Sequence, residues 1–161
     1  MFQAWLGLGA NLGDPVAQLE RAFAQIAALP ETRLIARSSL YRSDPVGPAG
    51  QPDYCNAVCQ LETALSPEAL LDAVLAIEVD NGRVRDGIRW AARLLDIDLL
   101  HVDGIIRDTK HLSLPHPHLH ERNWVAVPLA EIAPQLVIPG IGAISALAER
   151  LGRAGLRRWA V

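Results

Sequence analysis

Apolar residues dominate Phe2 to Ala10 and give way to a glycine-rich turn, which predicts a buried strand. Asp14 and Pro15 then stand where a helix N-cap and first helical residue belong. Leu19, Ala22, Phe23 and Ile26 recur at three- and four-residue steps, so they predict one apolar helical stripe, which Pro30 helps to end. Arg33 to Tyr41 and Tyr54 to Thr63 read as strands, separated by a loop from Ser43 to Pro52 that is too rich in Pro and Gly to be regular. Ser66 and Pro67 open a second helix, for which Leu70, Leu71, Val74, Leu75 and Ile77 are the expected buried face, and Asn81 and Gly82 stop it. Leu94 to Val102 supplies a fourth strand.

Strand, helix, strand, strand, helix, strand is the ferredoxin-like βαββαβ order of an α+β fold, with helices on one face of an antiparallel sheet. The C-terminal additions expected are an extended hairpin over Ile105 to Leu114 and helices over Trp124 to Ile132 and Ile144 to Leu151. The 161 residues fit a single domain over 1–161, with no internal repeat or linker and enough chain to bury a core without disulfides.

Composition narrows the classes. Fifteen Lys and Arg against 18 Asp and Glu leave a net charge of −3, so long-range attraction to nucleic acid or anionic membrane is not expected. No apolar run approaches the ~20 residues of a bilayer span, and the N-terminus lacks a signal-peptide layout, which makes the cytoplasm the default compartment. Cys55 and Cys59 lie four apart in a strand, too far for a disulfide, and read as small buried hydrophobes.

Asp96 and Asp98 are two apart in the fourth strand, so both carboxylates leave one face while Leu95, Ile97 and Leu99 leave the other. A hard divalent ion such as magnesium compensates such a pair directly, although the same spacing also fits a wet strand end. Arg83, Arg85, Arg89 and Arg93 crowd the loop that leads into these aspartates. Guanidinium forks bind phosphate oxygens bidentately, so arginines beside a carboxylate-held ion fit polyphosphate chemistry; a solvated loop paired with Asp80 and Asp86 is the plainer account.

Tyr54 and Asn56 share a strand face and offer an aromatic surface and an amide able to read a heterocycle edge, to which Trp90 and Trp124 add stacking planes. His116, His118 and His120 alternate, and extended spacing puts them on one side. No cysteine or second histidine cluster completes a zinc site with them, so one histidine at a nucleotide and two at the surface is the milder reading. Gly7, Gly9 and Gly13 are spaced one residue too long for a dinucleotide fingerprint, and let a ligand or strand approach the backbone instead.

Together, Gly7 to Gly13, Tyr41 to Gly47, Gln51 to Asn56, Glu78 to Arg85, Arg93 to Asp98, Leu114 to Pro117 and Pro128 to Pro134 resemble the 6-hydroxymethyl-7,8-dihydropterin pyrophosphokinase family, with likeness running from about Trp5 to Pro139. The resemblance implies transfer of the terminal diphosphate of ATP to a reduced pterin in folate synthesis. It implies two magnesium ions on Asp96 and Asp98, and a pterin held by Tyr54, Asn56, Trp124 and the segment of Ser43, Pro45 and Val46. Arg83 and Arg93 would contact the phosphates as catalytic residues and Trp90 would close over the site. Glu78, Arg85, Leu99, His111, Ser113, His116 and Arg122 would surround the nucleotide.

The implied partners are ATP and the pterin, with the chain a monomer among folate-pathway enzymes. Ala91 and Ala92 depart from a Gly-Pro common in the family, Asp86 and His111 stand where a basic residue is common, Leu75 replaces a polar residue, and Trp124 replaces a Phe. A dinucleotide-binding oxidoreductase and a non-catalytic ferredoxin-like module are the competing readings. Neither accounts for the run from Arg93 to Asp98.

Overall fold

A computed structural model describes residues 1–45, 50–82 and 95–160. In chain order the elements are β1 (Phe2–Ala10), α1 (Pro15–Ala27), β2 (Thr32–Arg37), β3 (Tyr41–Ser43), β4 (Tyr54–Thr63), α2 (Pro67–Asp80) and β5 (Asp96–Val102). They continue with β6 (Arg107–Asp108), β7 (Ser113–Leu114), a 3₁₀ turn (Leu119–Glu121), α3 (Asn123–Ile132), β8 (Val137–Ile138), β9 (Gly142–Ala143), α4 (Ile144–Leu151) and β10 (Leu156–Arg158).

The helix starts follow their caps. Asp14 Oδ1 accepts the Ala17 N–H at 3.1 Å and Ser66 Oγ accepts the Ala69 N–H at 3.1 Å, each with proline at the first helical position. Caps of this kind are worth about 1 kcal/mol each. At the other end of α2, Gly82 takes φ +93, a conformation that stops a helix and suits glycine.

The main sheet runs β10-β3-β4-β1-β5, with β2 also pairing β4, and every pair is antiparallel. The core is therefore the expected α+β, ferredoxin-like one, with β5 at an edge. Because β1 is antiparallel to both neighbours, its glycines do not sit in the parallel βαβ unit a dinucleotide fingerprint requires.

Alternation sorts the strand residues into two layers. Ala4, Leu6, Leu8, Cys55, Ala57, Cys59, Ile97 and Leu99 pack under α1 and α2. On the opposite face Trp5, Val58 and Leu100 pack with Leu119, Val125 and Leu129. The C-terminal additions thus cover the second face of the sheet, where a bare βαββαβ unit leaves it open. Both cysteines are free and fully buried, and burial pushes each thiol up to about 12.

Three expectations change. The strand expected over Arg33 to Tyr41 divides into β2 and β3, since the Ser38 N–H donates to the Val58 carbonyl at 2.8 Å and Ser38 Oγ accepts the Val58 N–H at 2.9 Å. The Ser38 hydroxyl thus takes the Val58 N–H that a strand carbonyl would otherwise accept at the break. Leu71 and Leu75 are only half-buried; Leu70, Val74 and Ile77 carry the buried face of α2. The stretch carrying His116, His118 and His120 is not extended but turns into the 3₁₀ segment, so the three imidazoles do not share one side of a strand. Beyond these, β8, β9 and β10 are additional strands. No helix among the described residues is long and apolar enough to cross a membrane.

Candidate active site

The antiparallel register lines up side chains in rows across β4, β1 and β5. Asn56, Gly9 and Asp96 form one row; Val58, Gly7 and Asp98 form the next. Both glycines fall in the middle strand, so backbone floors the space between an amide and two carboxylates. A Cβ on Gly9 would stand 3.1 Å from Asn56 Oδ1, closer than such contacts ordinarily come.

That floor belongs to a cavity of about 220 Å³ whose walls include Ser43, Tyr54, Asn56, Asp96, Asp98 and Trp124. Asn56 is buried, and its Nδ2 donates to Ser43 Oγ at 2.6 Å. The bond fixes the amide plane and turns Oδ1 towards Gly9. Trp124 contributes an aromatic wall from the first turn of α3, and the Arg122 guanidinium carbon lies 6.0 Å from its ring centroid.

A second cavity, of about 330 Å³, opens along the β5 edge between α2 and the β6–β7 hairpin. Leu71, Leu75 and Leu99 give it an apolar side, which is why two leucines of α2 stay half-exposed. Glu78, Lys110, His111, Ser113 and His116 give it polar groups. Asp96 and Asp98 line both cavities.

Asp98 lies between a guanidinium and an imidazole, with Arg122 Nη1 3.7 Å from Oδ2 and His116 Nε2 3.7 Å from Oδ1. Burial lowers the His116 pKa despite the neighbouring carboxylate, which keeps the imidazole neutral near pH 7. Its Nδ1 accepts the His118 N–H at 3.1 Å, so the ring is oriented by backbone. His118 and His120 are exposed and lie 3.2 Å and 3.4 Å from Glu121 oxygens. Glu78 is buried and its Oε2 accepts the Ile97 N–H at 2.8 Å, between the two aspartates.

Among the residues singled out in the sequence, Ser43, Tyr54, Asn56, Asp96, Asp98 and Trp124 thus meet at the first cavity. Glu78, Leu99, His111, Ser113 and His116 meet at the second. Arg122, expected at the nucleotide, borders the first cavity beside Asp98, and Pro45 lines neither. Val46, Arg83, Arg85, Trp90 and Arg93 lie outside the described residues, as do Asp86, Ala91 and Ala92.

Sequence reasoning did not single out Lys110 or Asp44, both of which border a cavity; a lone lysine in a hairpin or an aspartate in a loop carries no spacing signal. Among the described residues no group of three or more His, Cys, Asp or Glu side chains is arranged to hold a metal ion. Two carboxylates alone fit magnesium, which takes one or two from protein and the rest of its shell from water and phosphate.

The family model described as 7,8-dihydro-6-hydroxymethylpterin-pyrophosphokinase (HPPK) matches residues 5–134. Relatives named 2-amino-4-hydroxy-6-hydroxymethyldihydropteridine pyrophosphokinase include one from Haemophilus influenzae, 45% identical over 150 residues and covering 93% of each chain. Another, from Methylorubrum extorquens, is 45% identical over 158 residues, covering 98% of this chain and 99% of the relative. A third, from Pseudomonas aeruginosa, is 47% identical over 137 residues, or 85% of this chain and 84% of the relative.

Among solved structures, an HPPK-DHPS in complex with substrates superposes with a TM-score of 0.78 at 12% identity, covering 100% of this chain and 49% of that one. Plasmodium falciparum HPPK-DHPS, wild type with SDX-DHP, gives 0.74 at 13% identity, covering 100% and 48%. This chain spans about half the length of those solved chains, and at such identity the likeness is one of fold. The matched residues run from within β1 to just past the end of α3 and take in both cavities, and the chain belongs to the 7,8-dihydro-6-hydroxymethylpterin pyrophosphokinase family.

Proposed function

We propose that the chain transfers diphosphate from ATP to 6-hydroxymethyl-7,8-dihydropterin, yielding AMP and the pterin diphosphate, a step of folate biosynthesis. The observation that carries this reading is that Asp96 and Asp98 line two separate cavities at once. A cavity lined by an amide and aromatic side chains suits the pterin, and an edge cavity with polar and apolar sides suits the nucleotide. The reacting hydroxymethyl and phosphate groups would then meet over the carboxylates.

In the first cavity Asn56 Oδ1 would accept a pterin N–H while Trp124 and Tyr54 cover the ring faces. The Ser43 bond holds the amide ready, so little ordering is needed on binding. In the second, His116 and Lys110 would face the phosphates and Leu71, Leu75 and Leu99 the base. The pterin hydroxyl attacks the β-phosphorus in line with departing AMP, forming one P–O bond as another breaks, and its proton passes to solvent. Arg122, beside Asp98, contributes positive charge next to the transferring group.

We assign two magnesium ions to Asp96 and Asp98. Asp96 and Asp98 would hold them, and their charge would offset that of the phosphates and ease deprotonation of the attacking hydroxyl. Arg83 and Arg93 are assigned to the phosphates, Arg85 to the nucleotide, and Trp90 and Val46 to the closed substrate pocket, on the resemblance described above. We further propose a cytoplasmic, monomeric enzyme working as one domain, with folate-pathway enzymes as neighbours.

Chromatographic analysis of a reaction holding the chain, ATP, magnesium and reduced hydroxymethylpterin tests the assignment. AMP and pterin diphosphate in equal amounts are the expected products. ADP with pterin monophosphate, or ATP consumption indifferent to pterin, would contradict it.

A further inference from the structure

The C-terminal strand lies beyond the residues matched by the family model, yet it pairs with β3, whose Ser43 lines the first cavity. In β10, Leu156 pairs with Ser43 and Arg157 with Arg42, and the Asp44 N–H donates to the Gly155 carbonyl at 3.0 Å. The Arg157 side chain makes two further contacts. Its Nη2 donates to Asp53 Oδ2 at 3.0 Å, and its Nη1 stands 3.5 Å from Asp44 Oδ1. Asp44 follows Ser43 and Asp53 precedes Tyr54, and Ser43, Asp44 and Tyr54 all line the cavity. One guanidinium therefore ties Asp44 to Asp53, the chain neighbours of the cavity residues Ser43 and Tyr54.

We propose that Arg157 is a positioning residue for the pterin, holding Asp44 and Asp53 together so that Ser43, Asn56 and Tyr54 keep a common geometry. The proposal rests on reading the first cavity as the pterin pocket. Arg157 does not itself line that cavity. Removing it leaves two carboxylates drawn to the same place with no charge between them, and they move apart. The Ser43 hydroxyl that fixes Asn56 sits next to one of them in the chain. The ion pairs are about half exposed, with side-chain exposures of 53% for Arg157 and 63% for Asp44, so their contribution to overall stability is small. Their consequence is local, in the alignment of the pocket wall.

The test uses the full chain with magnesium and α,β-methylene-ATP, titrated with reduced 6-hydroxymethylpterin, beside a separate titration of the nucleotide analogue and a thermal melt. Arg157→Ala is expected to weaken pterin about three- to fivefold, leaving nucleotide affinity and the melting midpoint unchanged. Arg157→Lys should recover part of the loss, and Asp53→Asn should reproduce it without adding to Arg157→Ala. Unchanged pterin affinity in Arg157→Ala, or parallel loss of pterin, nucleotide and stability, overturns the proposal. A wild-type chain that binds no pterin overturns the underlying reading of the cavity, and the role of Arg157 towards pterin falls with it.

Discussion

Glu78 reaches from α2 to accept the backbone N–H of Ile97 at 2.8 Å, and so fixes the peptide that separates Asp96 from Asp98. A buried carboxylate is costly unless it is hydrogen-bonded, and here the bond holds the strand between the two site aspartates.

Glu78→Ala is expected to cost about 1–3 kcal/mol of folding stability, because a buried N–H loses its acceptor. Magnesium-dependent ATP affinity should fall with it, while Glu78→Gln keeps an acceptor oxygen and loses less of both. Denaturant unfolding beside ATP titration with and without magnesium checks the pair of effects.

Gly9 separates Asn56 from Asp96 in its row, and a methyl there presses on Asn56 Oδ1. Gly9→Ala should weaken pterin by about 1–3 kcal/mol, the order of an overpacking cost, with ATP affinity little changed. Asn56→Ala should lose a similar amount by leaving a heterocycle N–H unpaired. Calorimetric titration of each ligand separates these outcomes, and equal loss of both ligands would indicate a folding defect instead.

His101 is buried and stacks on Trp5, ring centroids 5.5 Å apart, with neither ring nitrogen hydrogen-bonded among the described residues. Burial lowers its pKa from the ordinary 6.5, against the pull of Asp103. The unfolded chain therefore takes up this proton first as the pH falls. Stability from the neutral ring is complete above about pH 6.5 and is lost progressively below it, towards the lowered native value. His101→Phe should keep the stack and flatten the fall in melting temperature between neutral pH and about pH 5. An unchanged acid limb would contradict this.

Much of this was legible beforehand, for identifiable reasons. Caps and periodicity located α1 and α2, and two-residue alternation put Asp96 and Asp98 on one face and Ile97 and Leu99 on the other. The same rule fails one turn of the ladder later. Between Trp5 and Leu6 the register shifts, so Leu100 and His101 both join the Trp5 side, and a buried histidine looked like an ordinary strand position.

The division at Ser38 was hidden too, because a serine hydroxyl replacing a ladder bond leaves no periodic mark. Glu131 shows the same limit. It accepts from Tyr41 Oη at 2.6 Å and from the Ser39 N–H and Oγ at 2.9 Å, bracing α3 against the β2–β3 break across ninety residues of sequence. Burial pushes its carboxyl up, and those bonds outweigh burial and hold it low. Long-range polar contacts of this kind, like those of Arg157, have no local signature.

The most direct measurement is single-turnover AMP formation by wild type, Asp96→Ala and Asp98→Ala under saturating magnesium, ATP and reduced hydroxymethylpterin, with cooperative unfolding verified for each. Both carboxylates are half-exposed at the junction of the two cavities, so losing either should leave the fold intact and lower the rate by at least about a thousandfold. Near-normal single-turnover rates in either folded variant would contradict the claim that this pair is the seat of diphosphate transfer.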